Sequence, residues 1–260
     1  MSDKIVRRGY VSTDIKEFNE EAMKKLKEAQ KDIFMLINRM YDIKKVSTFV
    51  GNHYLLSERQ RMALMRSTSS KLALEIRRKK EITISLKEKT VYIDGFNLII
   101  TLEVALSGST LMKCMDGTIR DLAGLRGTYK LIDKTDIAIN LIGEKLYELK
   151  VNKVVFYLDS PISNSGRLKM KILELLNKYS YNVEVYLVNN ADIILEKLEN
   201  VITSDAIILD KCKSWINLAL NIIDESLGDV YLNLNNLNWV VCQWYLLKKN
   251  KYINLVESYF

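Results

Sequence analysis

The sequence predicts an α/β protein with a mostly parallel sheet that is flanked by helices and preceded by a small helical domain. After residue 88, short β-branched and aromatic runs alternate with helix-like segments, a pattern typical of parallel βα units. Before that point, apolar residues recur at steps of three and four with Lys and Glu between them, which is typical of amphipathic helices. We therefore expect a basic helical domain over residues 1–80 and an α/β domain over residues 88–260.

Charge is distributed unevenly along the 260 residues, whose formal net charge is +7. Residues 1–89 contain 21 Lys and Arg against 12 Asp and Glu, whereas residues 90–260 contain 18 against 20. An excess of positive charge in one half predicts contact with a polyanion such as RNA. The alternative is a lysine-rich surface that only keeps the protein in solution.

The three cysteines lie far apart, without a C-x-x-C pair, which argues against a disulfide framework and a structural zinc site. The first residues run directly into charged sequence without the apolar core of a secretory signal, and no apolar run has the length of a membrane span. We expect a cytoplasmic protein with no membrane partner. The sequence leaves open whether chains associate into a homo-oligomer.

The helical half begins with a predicted helix from Thr13 to about Met40, and a second helix follows the predicted N-cap Ser57 as far as Ser67. The arginines in and after this second helix could contact phosphates, or they could be ordinary solvated side chains. These candidate nucleic-acid-binding residues are Arg59, Arg61, Arg66, Arg77 and Arg78. For His53, the only histidine, we expect a structural hydrogen bond, with substrate contact as the alternative.

The two halves meet at Arg77-Arg78-Lys79-Lys80, which is either a solvated linker or an anion-binding seam, and residues 82–86 alternate like a short strand. In the α/β half we expect strands over residues 90–94, 153–158, 183–188 and 201–203, with an edge strand over 230–234. Helices are expected over residues 97–106, 134–149, 165–178, 191–198 and 210–224, and the aromatic tail from Trp239 to Phe260 has a helical spacing that favours packing.

Aspartates follow three of the predicted strands, at the point where each strand ends. They are Asp94, Asp159 and Asp205, and Asp192 opens the helix before the last of them. Because the carboxyl ends of parallel strands share one edge of a sheet, the four carboxylates can converge on one crevice. Asp94 taken alone is explained equally well as a helix cap. Clustered carboxylates normally hold a cation, and oxygen ligands without His or Cys select Mg²⁺ or Mn²⁺. Such a site suits metal-assisted attack of water on a phosphodiester.

Four short motifs in this half resemble those of a PIN-like ribonuclease domain of the NYN branch. They read Asp94-Gly95-Phe96-Asn97, Phe156-Tyr157-Leu158-Asp159, Ala191-Asp192 and Thr203-Ser204-Asp205. The resemblance implies a PIN-like sheet, RNA as the substrate and Mg²⁺ or Mn²⁺ as the cofactor. It also implies that Asp94, Asp159, Asp192 and Asp205 bind the metal and that Asn97 orients Asp94 or a water. The chain departs from the family pattern at Ser160-Pro161 and at a polar insert over residues 114–127.

A second resemblance covers part of the helical half. The segment Gly51-Asn52-His53-Tyr54-Leu55-Leu56-Ser57-Glu58-Arg59-Gln60-Arg61 resembles an element of an uncharacterised prokaryotic two-domain family that has a helical N-terminal domain. This resemblance implies no activity.

Two polar loops are expected at the same edge of the sheet as the aspartates. In the first, we expect Asp116, Arg120 and Asp121 to extend the acidic site. In the second, Ser163, Ser165, the backbone at Gly166 and Arg167 are expected to contact phosphate. The alternative is that these residues only form turns and helix caps.

The leading hypothesis from the sequence is a metal-dependent ribonuclease whose basic N-terminal domain holds part of the substrate. The first alternative is a non-catalytic RNA- or nucleotide-binding module with the same fold, which predicts salt-sensitive binding without turnover. The second alternative is an interaction protein whose basic half docks another macromolecule.

Overall fold

A computed structural model of the chain describes residues 6–83, 85–124 and 127–234. It confirms the predicted fold class, because a mostly parallel five-stranded sheet is flanked by helices and follows a helical region over residues 14–80. Within the described ranges, no helix is long and apolar enough to cross a membrane. The predictions for the aromatic tail from Trp239 to Phe260 and for Cys242 lie outside the described residues.

Five helices form the N-terminal region. They are α1 (Asp14–Glu17), α2 (Glu20–Ile37), α3 (Ile43–His53), α4 (Glu58–Ser67) and α5 (Lys71–Lys80). The predicted helix from Thr13 to Met40 is divided because the side chain of Asn19 accepts a hydrogen bond from the amide of Ala22 and starts a new helix. The predicted cap of α4 is confirmed, since Ser57 and Gln60 form a reciprocal capping box.

The rest of the described chain alternates strands and helices. Its elements are β1 (Thr90–Asp94), α6 (Gly95–Leu106), β2 (Leu111–Lys113), β3 (Ile119–Asp121), α7 (Asp133–Glu148), β4 (Lys153–Asp159), α8 (Ser165–Leu176), β5 (Asn182–Val188), α9 (Ala191–Leu195), β6 (Val201–Ile202), α10 (Ala206–Lys211), β7 (Trp215–Ile216), α11 (Leu218–Ser226) and β8 (Leu232–Asn233). The predicted strands over 90–94, 153–158, 183–188 and 201–203 are therefore present to within a residue or two.

The main sheet has the strand order β5-β4-β1-β6-β7, and every pairing in it is parallel. Its central strand β1 pairs with β4 and β6, so that Ile93 lies beside Phe156 and Ile202. Ile93 and Phe156 are fully buried under α6, α7, α8 and α11, and burial of each such side chain contributes about 1.5–3 kcal/mol. The opposite face is partly covered by α9 and α10.

Two sequence predictions of secondary structure are wrong, and a third is confirmed only in part. The described residues between 82 and 86 form no strand. The amide of Ile82 donates one hydrogen bond of 2.8 Å to the carbonyl of Trp215, and this contact does not continue into a ladder. The helix predicted over 210–224 is instead α10, β7 and α11, since the fully buried Trp215 lies in a strand at the edge of the sheet. The edge strand predicted over 230–234 shortens to β8, which pairs with β2 in a separate three-stranded sheet ordered β3-β2-β8.

The small sheet joins the two halves of the molecule. Met112, Leu122 and Leu234 pack in one apolar cluster with residues of the N-terminal helices, including Leu26 and Leu64. The backbone amide of Met115 also donates to the carbonyl of Ser67 at 2.9 Å. The helical region is therefore packed directly against the α/β part, and a cleft between them becomes a place to look for a site.

Candidate functional site

The parallel strands bring the four predicted aspartates to one edge of the sheet. Asp94 is the last residue of β1 and Asp159 is the last residue of the neighbouring β4. Asp205 follows β6, on the other side of β1, and caps α10. Asp192 lies in the first turn of α9. The sequence argument about strand ends thus places these residues correctly along the fold.

Asp94 is a helix cap and also a perturbed acid. Its carboxylate is only 8% exposed, and it accepts hydrogen bonds from Thr203 Oγ1 at 2.9 Å and from the amide of Asn97 at 3.4 Å. The pKa of Asp94 is raised to about 7, first by burial and then by the negative charges of Asp205 and Asp192, whereas the Thr203 hydrogen bond opposes this rise. The two roles that the sequence left open for Asp94 are therefore compatible.

The glycine after Asp94 permits a close approach between α6 and β4. A Cβ atom at Gly95 would lie 2.5 Å from Leu158 Cδ2 and 3.1 Å from the carbonyl oxygen of Tyr157. A side chain here would push the start of α6 away from the end of β4. The Asp-Gly pair in the sequence therefore has a packing reason, which is independent of any chemistry at Asp94.

Asp159 and Asp192 form the second half of the acidic edge. Asp159 Oδ1 accepts a hydrogen bond from the amide of Ala191 at 2.8 Å, which holds the start of α9 against the end of β4. Burial raises the pKa of Asp192, as do the nearby charges of Asp205 and Asp159. The carboxylate of Asp192 makes no hydrogen bond or ion pair with another described residue. The pKa of Asp192 therefore responds to the charges of the neighbouring acids.

The described residues contain no group of three or more His, Cys, Asp or Glu side chains that could together hold one metal ion. The four aspartates are thus brought to one edge, but three of them do not surround a common ion position. Mg²⁺ normally keeps several waters and uses one or two carboxylates together with substrate phosphates. The residues therefore fit an ion of that kind, held by one or two carboxylates and water, and do not fit an all-protein cage.

Asn97 connects the start of α6 to the loop that carries Asp205. Its Oδ1 accepts hydrogen bonds from both the amide and the hydroxyl of Ser204, each at 2.9 Å. Its backbone amide is the group that reaches Asp94. The side chain of Asn97 consequently positions the Ser204-Asp205 backbone, and the predicted contact with Asp94 is made through the main chain.

Asp116 does not extend the acidic edge, and that prediction is wrong. Its fully buried carboxylate accepts from Arg77 at 2.6 Å, from Arg120 at 2.5 Å and from Thr118 Oγ1 at 2.7 Å. Burial alone would raise the pKa of Asp116, but the two guanidinium charges and the hydrogen bond from Thr118 hold it at about 2. The carboxylate is neutralised internally, so it is not available to a ligand.

Arg120 and Asp121 do lie near the site. Arg120 Nε donates to the carbonyl of Ser204 at 2.6 Å and its Nη1 donates to the carbonyl of Arg66 at 2.7 Å. Asp121 accepts from the amide of Ala123 at 2.8 Å, and its Oδ1 lies 3.8 Å from Arg66 Nη1. Arg120 thus braces the backbone beside Asp205, which is a positioning role that loop composition alone does not reveal.

The serines predicted to bind phosphate stabilise loops. Ser163 Oγ donates to the carbonyl of Tyr129 at 3.2 Å and accepts from its amide at 3.0 Å. The buried Ser165 donates to the carbonyl of Ser160 at 3.4 Å. Both hydroxyls are engaged in loop contacts in this structure, and their role in phosphate binding stays a prediction. Gly166 and Arg167 are exposed on the first turn of α8.

Three of the five arginines predicted to contact nucleic acid make contacts within the protein, and the enclosed positions of Arg59 and Arg77 argue against that prediction for these two. Arg59 pairs with Asp14 and donates to the carbonyl of Leu122 at 3.1 Å. Arg61 donates to the carbonyl of Leu56 and to Asn52 Oδ1, each at 2.9 Å. Arg77 is buried, as described above for its contact with Asp116. Arg66 and Arg78 keep exposed surface, 35% of the side chain in the case of Arg66.

His53 is the exposed last residue of α3, and its ring meets the ring of Tyr54 edge-on at 4.9 Å. Nothing else in the described part of the chain hydrogen-bonds to it. The expected structural hydrogen bond is therefore replaced by a ring contact.

A cleft of about 830 Å³ opens between the helical region and the α/β part, beside the acidic edge. Asn97, Ser204 and Asp205 line it on the α/β side. The opposite wall includes Met40, Tyr41, Arg66 and Thr68. Sequence reasoning missed Met40, Tyr41 and Thr68, because they lie between helices and carry no motif. The predicted helix extended to about Met40, whereas α2 ends at Ile37, so nothing in the sequence indicated that Met40 and Tyr41 lie in a connection between helices.

Comparisons with known proteins identify a family without assigning an activity. The model of the family described as Domain of unknown function (DUF5616) matches residues 83–221, and that of Protein of unknown function (DUF434) matches residues 25–80. An uncharacterized protein of Methanocaldococcus jannaschii is 38% identical over 185 residues, which cover 71% of this chain and 88% of that protein. No solved structure gives a significant match. The DUF5616 model matches more than half of the residues of this chain, and the chain therefore belongs to the DUF5616 family.

Proposed function

We propose that this protein is a metal-dependent ribonuclease that hydrolyses RNA phosphodiester bonds at the acidic edge formed by Asp94, Asp159, Asp192 and Asp205. The observation that carries the proposal is the state of Asp94. It is buried beside two other acids, its pKa is raised to about 7, and no ion pair within the described residues compensates it. Such an arrangement is costly unless a cation binds there.

The residues of the edge have separate tasks in this proposal. Asp94 and Asp192 would hold Mg²⁺ or Mn²⁺. Neighbouring acids raise the pKa of both carboxyls, and a bound cation would offset this repulsion between negative charges. A bound ion of this type polarises a phosphate and makes water a better nucleophile. Thr203 holds Asp94 by a hydrogen bond of 2.9 Å, while Asn97 and the guanidinium of Arg120 fix the backbone next to Asp205.

RNA is proposed as the partner for two reasons besides the motif resemblance. The positive charge of the chain is concentrated in residues 1–89, and Arg66 from that half lines the cleft beside Asp205. We also propose a cytoplasmic location, because the cysteines of the sequence lie far apart without a C-x-x-C pair and Cys212 is a buried thiol outside any disulfide. Such thiols suit a reducing compartment.

A second candidate function is a non-catalytic RNA- or nucleotide-binding module that keeps this fold. The specific observation in its favour is that no three metal-binding side chains of the described chain are grouped around one position. This candidate predicts RNA binding that weakens as salt rises, with no turnover and no metal requirement.

One experiment separates these functions. End-labelled RNA containing single-stranded and paired segments is incubated with the full chain in Mg²⁺, in Mn²⁺ and in EDTA, and filter binding is measured in parallel. The ribonuclease proposal predicts cleavage that requires a metal. Salt-sensitive binding without cleavage in either metal would favour the binding module. Absence of both at low salt would favour an interaction protein whose basic half docks another macromolecule.

A further inference from the structure

The cleft beside the acidic edge has features that the proposed chemistry at the aspartates does not use. It adjoins that edge through Asn97, Ser204 and Asp205, yet most of its wall comes from apolar side chains of both halves of the molecule. It contains the acids Asp121 and Asp205 as well as arginines. The cleft is therefore not a basic groove that follows a phosphate backbone, and its mixed lining is typical of a pocket for a compact ligand.

Large apolar side chains are exposed where they line this cleft. Met40, Tyr41 and Ile207 are 87%, 60% and 56% exposed, respectively. Met40 and Tyr41 follow α2, whereas Ile207 lies in α10, two residues after Asp205. Aromatic and aliphatic surfaces of this kind stack on nucleobases with little dependence on base identity. They provide a place for a base close to the acidic edge.

Thr68 supplies a polar group that the protein itself leaves unsatisfied. The residue is 3% exposed and lines the cleft, and its Oγ1 has no hydrogen-bond partner among the described residues. A buried hydroxyl without a partner is unfavourable, so that such groups commonly acquire one from water or a ligand. A base edge or a ribose hydroxyl entering the cleft could pair with it.

Arg66 supplies a partly free cation in the same wall. Its Nη1 donates to the carbonyl of Asp121 at 2.5 Å, but its carboxylate partner is distant at 3.8 Å and 35% of its side chain is exposed. A guanidinium has five N–H donors, and the remaining ones are suited to a phosphate oxygen. Arg66 and Asp205 both line the cleft.

We propose that this cleft binds one unpaired nucleotide of single-stranded RNA, with the base against Tyr41 and Ile207, a polar group at Thr68 Oγ1 and the phosphate at Arg66. The inference rests on the proposed function and names its substrate class. A base in a duplex is stacked and paired, whereas a base in a single strand can turn into a protein pocket. The nucleotide held here lies next to the acidic edge, which receives the adjoining phosphodiester.

The test measures binding without cleavage. Fluorescence anisotropy of a labelled ten-nucleotide single-stranded RNA is recorded in EDTA for the full chain and for Tyr41→Ala and Thr68→Val. Tyr147→Ala and Thr48→Val are the matched controls, because Tyr147 is 55% exposed on α7 and Thr48 is exposed on α3, away from the cleft. We expect Tyr41→Ala to bind about tenfold more weakly. Thr68→Val should bind several-fold more weakly, with an unchanged or higher melting temperature because it removes an unsatisfied hydroxyl.

The outcomes distinguish this inference from the proposed function. Wild-type affinity in both cleft variants, or no binding of RNA by the wild-type chain, would overturn it. Equal affinity for a duplex of the same sequence would overturn the single-strand preference. If the wild-type chain cleaves RNA with Mg²⁺ while both variants bind normally, only the cleft inference fails. If both variants lose affinity while the wild-type chain cleaves nothing in either metal, the cleft inference stands and the ribonuclease proposal fails.

Discussion

Arg77 of the helical region and Asp116 of the α/β part form a buried ion pair, with Nη1 and Oδ2 2.6 Å apart and the two side chains 4% and 0% exposed. Arg77 also pairs with Asp210 at 2.7 Å, and its carbonyl accepts a hydrogen bond from the indole of the buried Trp215. The cationic run at the junction is therefore not a solvated linker, because its first residue is a structural contact between the two halves.

Replacement of Arg77 by Met is expected to lower the free energy of unfolding by about 3–5 kcal/mol. The change leaves buried carboxylate charge at Asp116 without one of its two guanidinium partners. The neighbouring Arg78 is exposed and its side chain makes no hydrogen bond or ion pair with another described residue, so Arg78→Met should change stability by less than about 0.5 kcal/mol. Urea denaturation measures the free energy of unfolding of both variants. Similar losses in the two variants would contradict the structural role of the Arg77–Asp116 ion pair.

The stability effect of Asp94→Asn should depend on pH. The folded pKa of Asp94 is about 7 against a usual value of 3.8. When the pH lies between these two pKa values, Asp94 is protonated in the folded chain and ionised in the unfolded chain. The stability that this group contributes is therefore full below about pH 4 and is lost as the pH rises through 7. The variant cannot ionise and escapes this loss. The difference in melting temperature between Asp94→Asn and wild type should therefore be at least about 3 °C more favourable to the variant at pH 8 than at pH 5.

Asp136→Asn serves as the control for that comparison, because Asp136 is half-exposed and its change in melting temperature should be the same at both pH values. A pH-independent effect of Asp94→Asn would show that Asp94 is an ordinary ionised carboxylate in the folded protein.

Binding of Mg²⁺ or Mn²⁺ at the acidic edge should stabilise the protein in a pH-dependent manner. A ligand at one hundred times its dissociation constant adds about 2.7 kcal/mol to the stability of the folded state. Since the ion needs ionised carboxylates, the increase in melting temperature should be larger at pH 8 than at pH 5 and should be reduced in Asp94→Asn. Calorimetric scans with Mn²⁺ and with EDTA measure it. An equal increase in wild type and Asp94→Asn would place the ion elsewhere.

Arg59 and Arg66 lie in α4 and should behave in opposite ways. Arg59→Met should cost about 2–3 kcal/mol of stability because it breaks the enclosed contact with Asp14, and it should leave RNA affinity unchanged in the folded protein. Arg66→Met should have a small effect on stability but should weaken RNA binding and reduce its salt slope by about 1. Denaturation curves and a salt titration of RNA affinity distinguish the two. A loss of RNA affinity in Arg59→Met would instead support the predicted contact of Arg59 with nucleic acid.

The parts of the fold that follow from local pattern were predictable. The runs that became β1 and β4 are β-branched and end in Asp, so both their strand character and the position of Asp94 and Asp159 could be read directly. Helix α3 was not predicted, because β-branched residues such as Val46 and Val50 have a lower propensity for helices than for strands, although Asp42 caps the helix by accepting from the amide of Lys45 at 3.0 Å.

The site was only partly predictable, because its remaining parts depend on contacts distant in sequence. Asp116 looks like any loop aspartate until Arg77 and Arg120 are brought to it. The cleft joins Tyr41 to Ile207, and no local pattern relates those two positions. Polar residues in loops thus have ambiguous roles until their partners are known, whereas carboxylates at the ends of parallel strands have positions that topology determines.

The most direct test of the central claim is the rate of metal-dependent RNA cleavage by Asp94→Asn and Asp205→Asn, with Asp136→Asn as the matched control. Single-turnover rates with Mg²⁺ or Mn²⁺ are measured at an enzyme concentration that saturates RNA binding in each variant. We predict that the two variants of the acidic edge are slower than wild type by about a hundredfold or more, and that the control retains the wild-type rate. Wild-type rates in Asp94→Asn and Asp205→Asn would contradict the assignment of hydrolysis to this edge.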